Sequence, residues 1–96
     1  MAILATMGNV RRRVVISGRV QNVWFRDSCR TQALALGVTG WVRNCPSGDV
    51  EAVFEGLPTN VDHMVSWCRV GPSGARVDSV ATTEEPARGE TGFTIR

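Results

Sequence analysis

The chain has 96 residues, enough for one domain with a single layered core, and at 43% hydrophobic and 21% charged it has the composition of an ordinary globular protein. A net charge of +2 is too small to argue for a nucleic-acid binder, although it leaves room for a local site that takes a small anion. Three widely spaced cysteines, Cys29, Cys45 and Cys68, form neither a CxxC pair nor a Cys/His cluster. They argue against a structural zinc site and a disulfide framework, and they fit a reducing cytoplasm.

The opening "MAILATMGNVRRR" places its apolar stretch before its charges, the reverse of a secretory signal, and residues 1–10 read as a flexible tail ahead of one domain over 11–96. No run approaches the ~18 apolar residues of a membrane helix. "RRVVISG" is rich in β-branched residues and ends at Gly18, so it predicts a strand. Arg11, Arg12 and Arg13 at its start read as solvated charges. After the loop "GRVQNVWFR", the segment "RDSCRTQALALG" predicts a helix that stops at Gly37, with Phe25, Cys29, Ala33 and Leu36 as its apolar stripe. "VTGWVRN" predicts a second strand and "VEAVFEG" a third, separated by the turn "CPSGD"; alternation puts Val50, Ala52 and Phe54 on one face.

Pro58 opens a second predicted helix, at a position where its missing N–H costs little. Thr59 and Asp62 have the spacing of a capping box, with Asp in the acidic place. Val61, Met64, Val65 and Cys68 form the buried stripe, and "GPSG" ends the helix. "ARVDSVAT" predicts a fourth strand and "GFTIR" a short fifth, with Phe93 and Ile95 on one face. The order β-α-β-β-α-β plus a short C-terminal strand predicts an α+β, ferredoxin-like split βαβ sandwich: an antiparallel sheet with two helices on one face. Many unrelated activities share that plan, so the function has to come from a site.

Two places carry candidate chemistry. The loop Arg19–Phe25 leaves a strand and enters a helix, where backbone N–H groups lack internal partners and the helix dipole adds positive potential. Successive amides there can cradle an anion, and Arg26 in the first helical turn can add a bidentate fork. The same loop also reads as a plain basic connection with solvated arginines. Asn44 closes the second strand; its amide can donate to one group and accept from another, so it can orient a water, and it also suits a turn. His63 falls in mid-helix and reads as a surface residue. Asp27 reads as a first-turn acid favoured by the dipole. Trp41 and Trp67 read as packing residues, and Cys29 and Cys68 as core thiols.

The segments "GRVQNVWFR", "ALALGVTGWVRN" and "WCRVGPSGARVDSV", in this order and spacing, resemble the acylphosphatase family over residues 11 to 96. The resemblance implies hydrolysis of the carboxyl-phosphate bond of acyl phosphates, with no metal and no cofactor. It implies that Arg26 binds the phosphate, that Val20, Gln21, Asn22, Val23, Trp24 and Phe25 form the cradle, and that Asn44 orients the attacking water. The expected substrate is a small acyl phosphate, with inorganic phosphate as product and inhibitor; the cysteines, charge and hydropathy of the chain add the expectation of a cytoplasmic protein that binds neither nucleic acid nor membrane, and a monomer is expected. The chain departs from the family at Asn22, where Gly is usual, and at Cys45, where a polar residue is common; the position after Val23 varies in the family, and Trp24 is a bulky choice there. Asn tolerates positive φ better than most residues, so the loop is expected to keep its shape.

Two rival readings fit parts of the sequence. An RNA-recognition module shares the topology, but it needs stacked aromatics on the open sheet face, where "DVEAVFEG" puts Glu51 and Glu55. A non-catalytic anion sensor would keep Arg26 and dispense with Asn44, which is present.

Overall fold

A computed structural model of the chain describes residues 8–96. Seven elements follow one another: β1 (Val10–Arg19), α1 (Phe25–Leu36), β2 (Thr39–Asn44), β3 (Val50–Gly56), α2 (Pro58–Cys68), β4 (Arg76–Glu85) and β5 (Phe93–Ile95). Of the stretch read as a tail, residues 1–7 lie outside the described residues, and β1 begins at Val10.

The strands form one sheet in the order β4-β1-β3-β2-β5. β1 to β4 pair antiparallel, as the split βαβ plan requires, while β5 joins β2 in parallel through Gly40↔Phe93 and Val42↔Ile95. The sheet is therefore mixed at this one edge. The fold is ferredoxin-like α+β.

Alternation along the strands sorts the two faces. Val14 and Ile16 of β1, Val42 of β2, and Val50, Ala52 and Phe54 of β3 turn toward the helices. α1 supplies Phe25, Cys29 and Ala33, and α2 supplies Val61, Met64, Val65 and Cys68. Each large apolar side chain among them contributes about 1.5–3 kcal/mol by leaving water. Both stripes match the helical spacing read from the sequence, with Leu36 left half-buried at the end of α1. α1 stops at Gly37, whose φ of 67° lets its N–H turn back to the carbonyls of Ala33 and Leu34. Cys29 and Cys68 meet in this core; their hydrogen bond and their burial push the Cys29 thiol well above the usual range, so it stays neutral.

Two expectations fail. Arg11 is not a solvated strand-start charge: it is 3% exposed and bonds Glu55 at 3.2 Å, Glu85 at 2.9 Å and Glu90 at 3.1 Å. Arg12 pairs with Asp62 and Arg13 with Glu51, so the basic run is neutralised by acids from β3, α2, β4 and the segment after β4. The run looks solvated in sequence because every partner is distant along the chain. Likewise, Thr59 and Asp62 make no capping box. Leu57 is the N-cap of α2 with no side-chain bond to it, Pro58 takes the first position, and Asp62 is drawn away by Arg12.

Candidate active site

The site lies at the end of the sheet where β1 stops. Gly18 sits at a bulge in the β1–β4 pairing with φ 130°, and a Cβ there would meet the Arg76 carbonyl oxygen at 2.2 Å. Only Gly permits this close approach, which bends the chain out of the sheet toward the loop. The loop Val20–Trp24 then returns into α1.

Three contacts fix the loop. Val20 is buried in the core. Gln21 donates from Nε2 across the gap to the carbonyl oxygens of Cys45 (2.8 Å) and Asp49 (2.9 Å), which form the neck of the β2–β3 turn. That turn is closed by Cys45 N–H donating to Asp49 O at 2.8 Å. Gln21 thus ties the loop to the residue that follows Asn44. On the other side, Phe25 is buried and meets the Trp67 ring edge-on, with centroids 5.1 Å apart. Gly71, after α2, lies against the Phe25 ring, where a Cβ would sit 2.8 Å from Cε2. The "GPSG" turn therefore packs beneath the loop, and its Gly74 comes up against Val23.

Asn22 and Trp24 both adopt left-handed backbone, at φ 61° and 65°, and among the described residues they are the non-glycine residues with positive φ. Asn22 matches the expectation for a position where glycine is usual. Trp24 does not follow from anything in the sequence. It is the N-cap of α1, makes no capping bond with its side chain, and stands 77% exposed. The first turn of α1 thus has N–H groups that no capping side chain satisfies.

These features open into one cavity of about 380 Å³, lined by Val20, Asn22, Trp24, Phe25, Arg26, Asp27, Asn44 and Ile95. Arg26 and Asn44 are both half-buried. Of the residues singled out in the sequence, Arg26, Asn44 and the loop residues Val20, Asn22, Trp24 and Phe25 line this space; Gln21 and Val23 support it from behind. Ile95, from β5, reads in the sequence only as a strand residue, and its place on the cavity wall depends on the parallel β2–β5 pairing. Asp27 sits on the wall beside Arg26. His63 is exposed on α2 and takes no part.

Chemically, a cationic fork, a helix N-terminus and a carboxamide facing one open space can hold an anion and a water together. Among the described residues, no group of three or more His, Cys, Asp or Glu side chains comes together to hold a metal. No helix among them is long and apolar enough to cross a membrane.

The comparisons with known proteins point one way. The acylphosphatase family model matches residues 12–95. An acylphosphatase of Rubrobacter xylanophilus is 59% identical over 87 residues, covering 90% of this chain and 79% of its own. One from Roseiflexus sp. is 54% identical over 90 residues, covering 93% and 97%. The structure of an acylphosphatase from Coxiella burnetii superposes with a TM-score of 0.89 at 36% identity, over 93% of this chain and 94% of that one. The chain belongs to the acylphosphatase family, whose members are hydrolases that split acyl phosphates into carboxylate and phosphate.

Proposed function

We propose that Arg26 and the backbone amides of the Val20–Phe25 loop hold the phosphoryl group while Asn44 orients the attacking water. What carries this reading is that Arg26, Asn44 and the uncapped first turn of α1 face one cavity. An acyl phosphate is already activated, so no strong nucleophile has to be made. Water oxygen bonds to phosphorus as the phosphorus–acyl oxygen bond breaks. The carboxylate leaves with the electron pair, and the water's proton passes to a phosphate oxygen. Asn44 is not a base; it positions the water in line. Arg26 and the amides stabilise the charge that spreads over the equatorial oxygens, and most of the rate acceleration in such transfers comes from stabilisation of this kind.

The reaction runs without a metal, since the charge that a cation would supply comes from Arg26 and the helix start. The unit that carries it out is the single domain over 11–96, acting as a monomer in the reducing cytoplasm, where Cys29, Cys45 and Cys68 stay free.

Steady-state kinetics with acetyl phosphate in the presence of EDTA test these roles. Arg26→Ala should raise KM and lower kcat, and Arg26→Lys should rescue poorly, because one ammonium lacks the planar fork. Asn44→Ala should leave competitive inhibition by phosphate unchanged and lower kcat by about 10²- to 10³-fold. Loss of activity with EDTA, restored by a divalent cation, or a near wild-type kcat in Asn44→Ala, would overturn the assignment.

A further inference from the structure

Among the described residues the exposed large apolar side chains are Trp24, Leu34, Leu57, Val70 and Ile95, and of these only Trp24 and Ile95 border the cavity. They wall it from different directions. Ile95 lies on β5 beside β2, the strand that ends in Asn44, so these two share one flank. Trp24 comes from the loop, at the start of α1.

Trp24 is an unusual choice for its position. A left-handed φ of 65° brings the Cβ of an L-residue against its own backbone, and glycine would hold the same turn without that clash. The side chain recovers little by packing, since it is 77% exposed. A strained backbone that presents a large aromatic face to the mouth of an anion cavity points to a ligand contact.

We infer that Trp24 is the specificity residue for the acyl group, and that the site prefers acyl phosphates whose acyl part is planar, apolar and uncharged. The inference rests on the reading that phosphate binds at Arg26. An in-line displacement sets the leaving carboxylate on the side of phosphorus away from the water, and so away from Asn44 and Ile95. The acyl group then lies on the loop side, against the indole. Once the phosphoryl group occupies Arg26, the remaining ionised side chain on the wall is the Asp27 carboxylate. It repels an acyl group that carries a second negative charge and leaves a neutral one alone.

The test compares kcat/KM for benzoyl, acetyl and succinyl phosphate in the wild-type protein and in Trp24→Ala, Trp24→Phe and Asp27→Asn. Trp24→Ala should lower kcat/KM for benzoyl phosphate about tenfold and for acetyl phosphate less than about twofold, the size of one lost aromatic contact. Trp24→Phe should retain most of the preference. Asp27→Asn should raise kcat/KM for succinyl phosphate about fivefold more than for acetyl phosphate, since both carry the phosphoryl charge and only the first carries another. Binding without turnover supplies a second measure: phenylphosphonate should inhibit more tightly than methylphosphonate, and the difference should shrink in Trp24→Ala. If benzoyl and acetyl phosphate fall in equal proportion in Trp24→Ala, or the two phosphonates keep their ratio, the inference is wrong while the hydrolase reading stands. If no acyl phosphate is hydrolysed by the wild-type protein, the underlying reading fails first.

Discussion

Asn22 and Trp24, two residues apart and both left-handed, are not equally strained. Asn reaches this region with help from its short polar side chain; an indole has no such help and bears most of the steric cost. Replacement by glycine removes that cost but widens the unfolded ensemble by roughly 0.5–1 kcal/mol. For Asn22→Gly the two effects nearly cancel, and the melting temperature should stay within a few degrees of wild type. For Trp24→Gly the relief is the larger effect. The exposed side chain gives up little packing, so the melting temperature should rise by about 3–6 °C, as read by circular dichroism. A fall in the melting temperature of Trp24→Gly would mean that the indole packs more than its exposure indicates. The need for positive φ at position 22 was legible because glycine is usual there in the family. Position 24 was illegible, because a tryptophan carries no local sign of the backbone beneath it; that geometry is imposed by the bulge at Gly18 on one side and by buried Phe25 on the other. Gln21 was visible as a polar loop residue, but its grip on the β2–β3 turn depends on a contact 24 residues away.

β3 shows how far alternation reads and where it stops. Its inner residues, Val50, Ala52 and Phe54, were legible from the period of two, which also assigns Glu51 and Glu55 to the other face. What alternation does not reveal is that both acids are buried there. Glu55 is 1% exposed: its Oε1 accepts from Arg11 and from the N–H of Arg88, and its Oε2 from the N–H groups of Gly89 (2.7 Å) and Glu90 (3.0 Å). Burial works to raise its pKa, but these donors together outweigh it and hold the carboxyl below its ordinary value. Glu51 is lowered in the same sense: burial opposes ionisation, and Arg43 and Arg13 prevail. A carboxyl depressed in the folded state adds stability that is present above the unfolded value of about 4.3 and is lost as pH falls through the lower folded value. Thermal melts from about pH 6 downward should therefore hold level and then drop below about pH 4.3. In Glu55→Gln an amide N–H₂ would face N–H donors, so stability at pH 6 should fall by about 3 kcal/mol. The decline below about pH 4.3 should be shallower than in the wild-type protein. Equal acid slopes in the two proteins would show that Glu55 is not depressed on folding.

At the scale of the whole molecule, the order of elements and the two helical stripes were enough to assign the architecture, because each element's period reports its own buried face. Less legible was what crosses between elements: the ion pairs of Arg11, the parallel seat of β5, and with it the place of Ile95. The cavity draws its wall from residues 20–27, from Asn44 and from Ile95, three stretches that only the finished sheet brings together. With phosphate held at this cavity, as proposed, an unfolded chain would have no such site, and phosphate would act on the folding equilibrium as well as on catalysis. A ligand that binds only the folded state stabilises it by about 2.7 kcal/mol at roughly a hundredfold excess over its Kd. Inorganic phosphate at that level should raise the melting temperature by about 10 °C or more, and Arg26→Ala should abolish the shift. If the shift survived in Arg26→Ala, the protecting anion would be bound elsewhere. If the product slows the hydrolase as proposed, it would in this way also guard it against unfolding, so that the inhibited protein would be the longest-lived one.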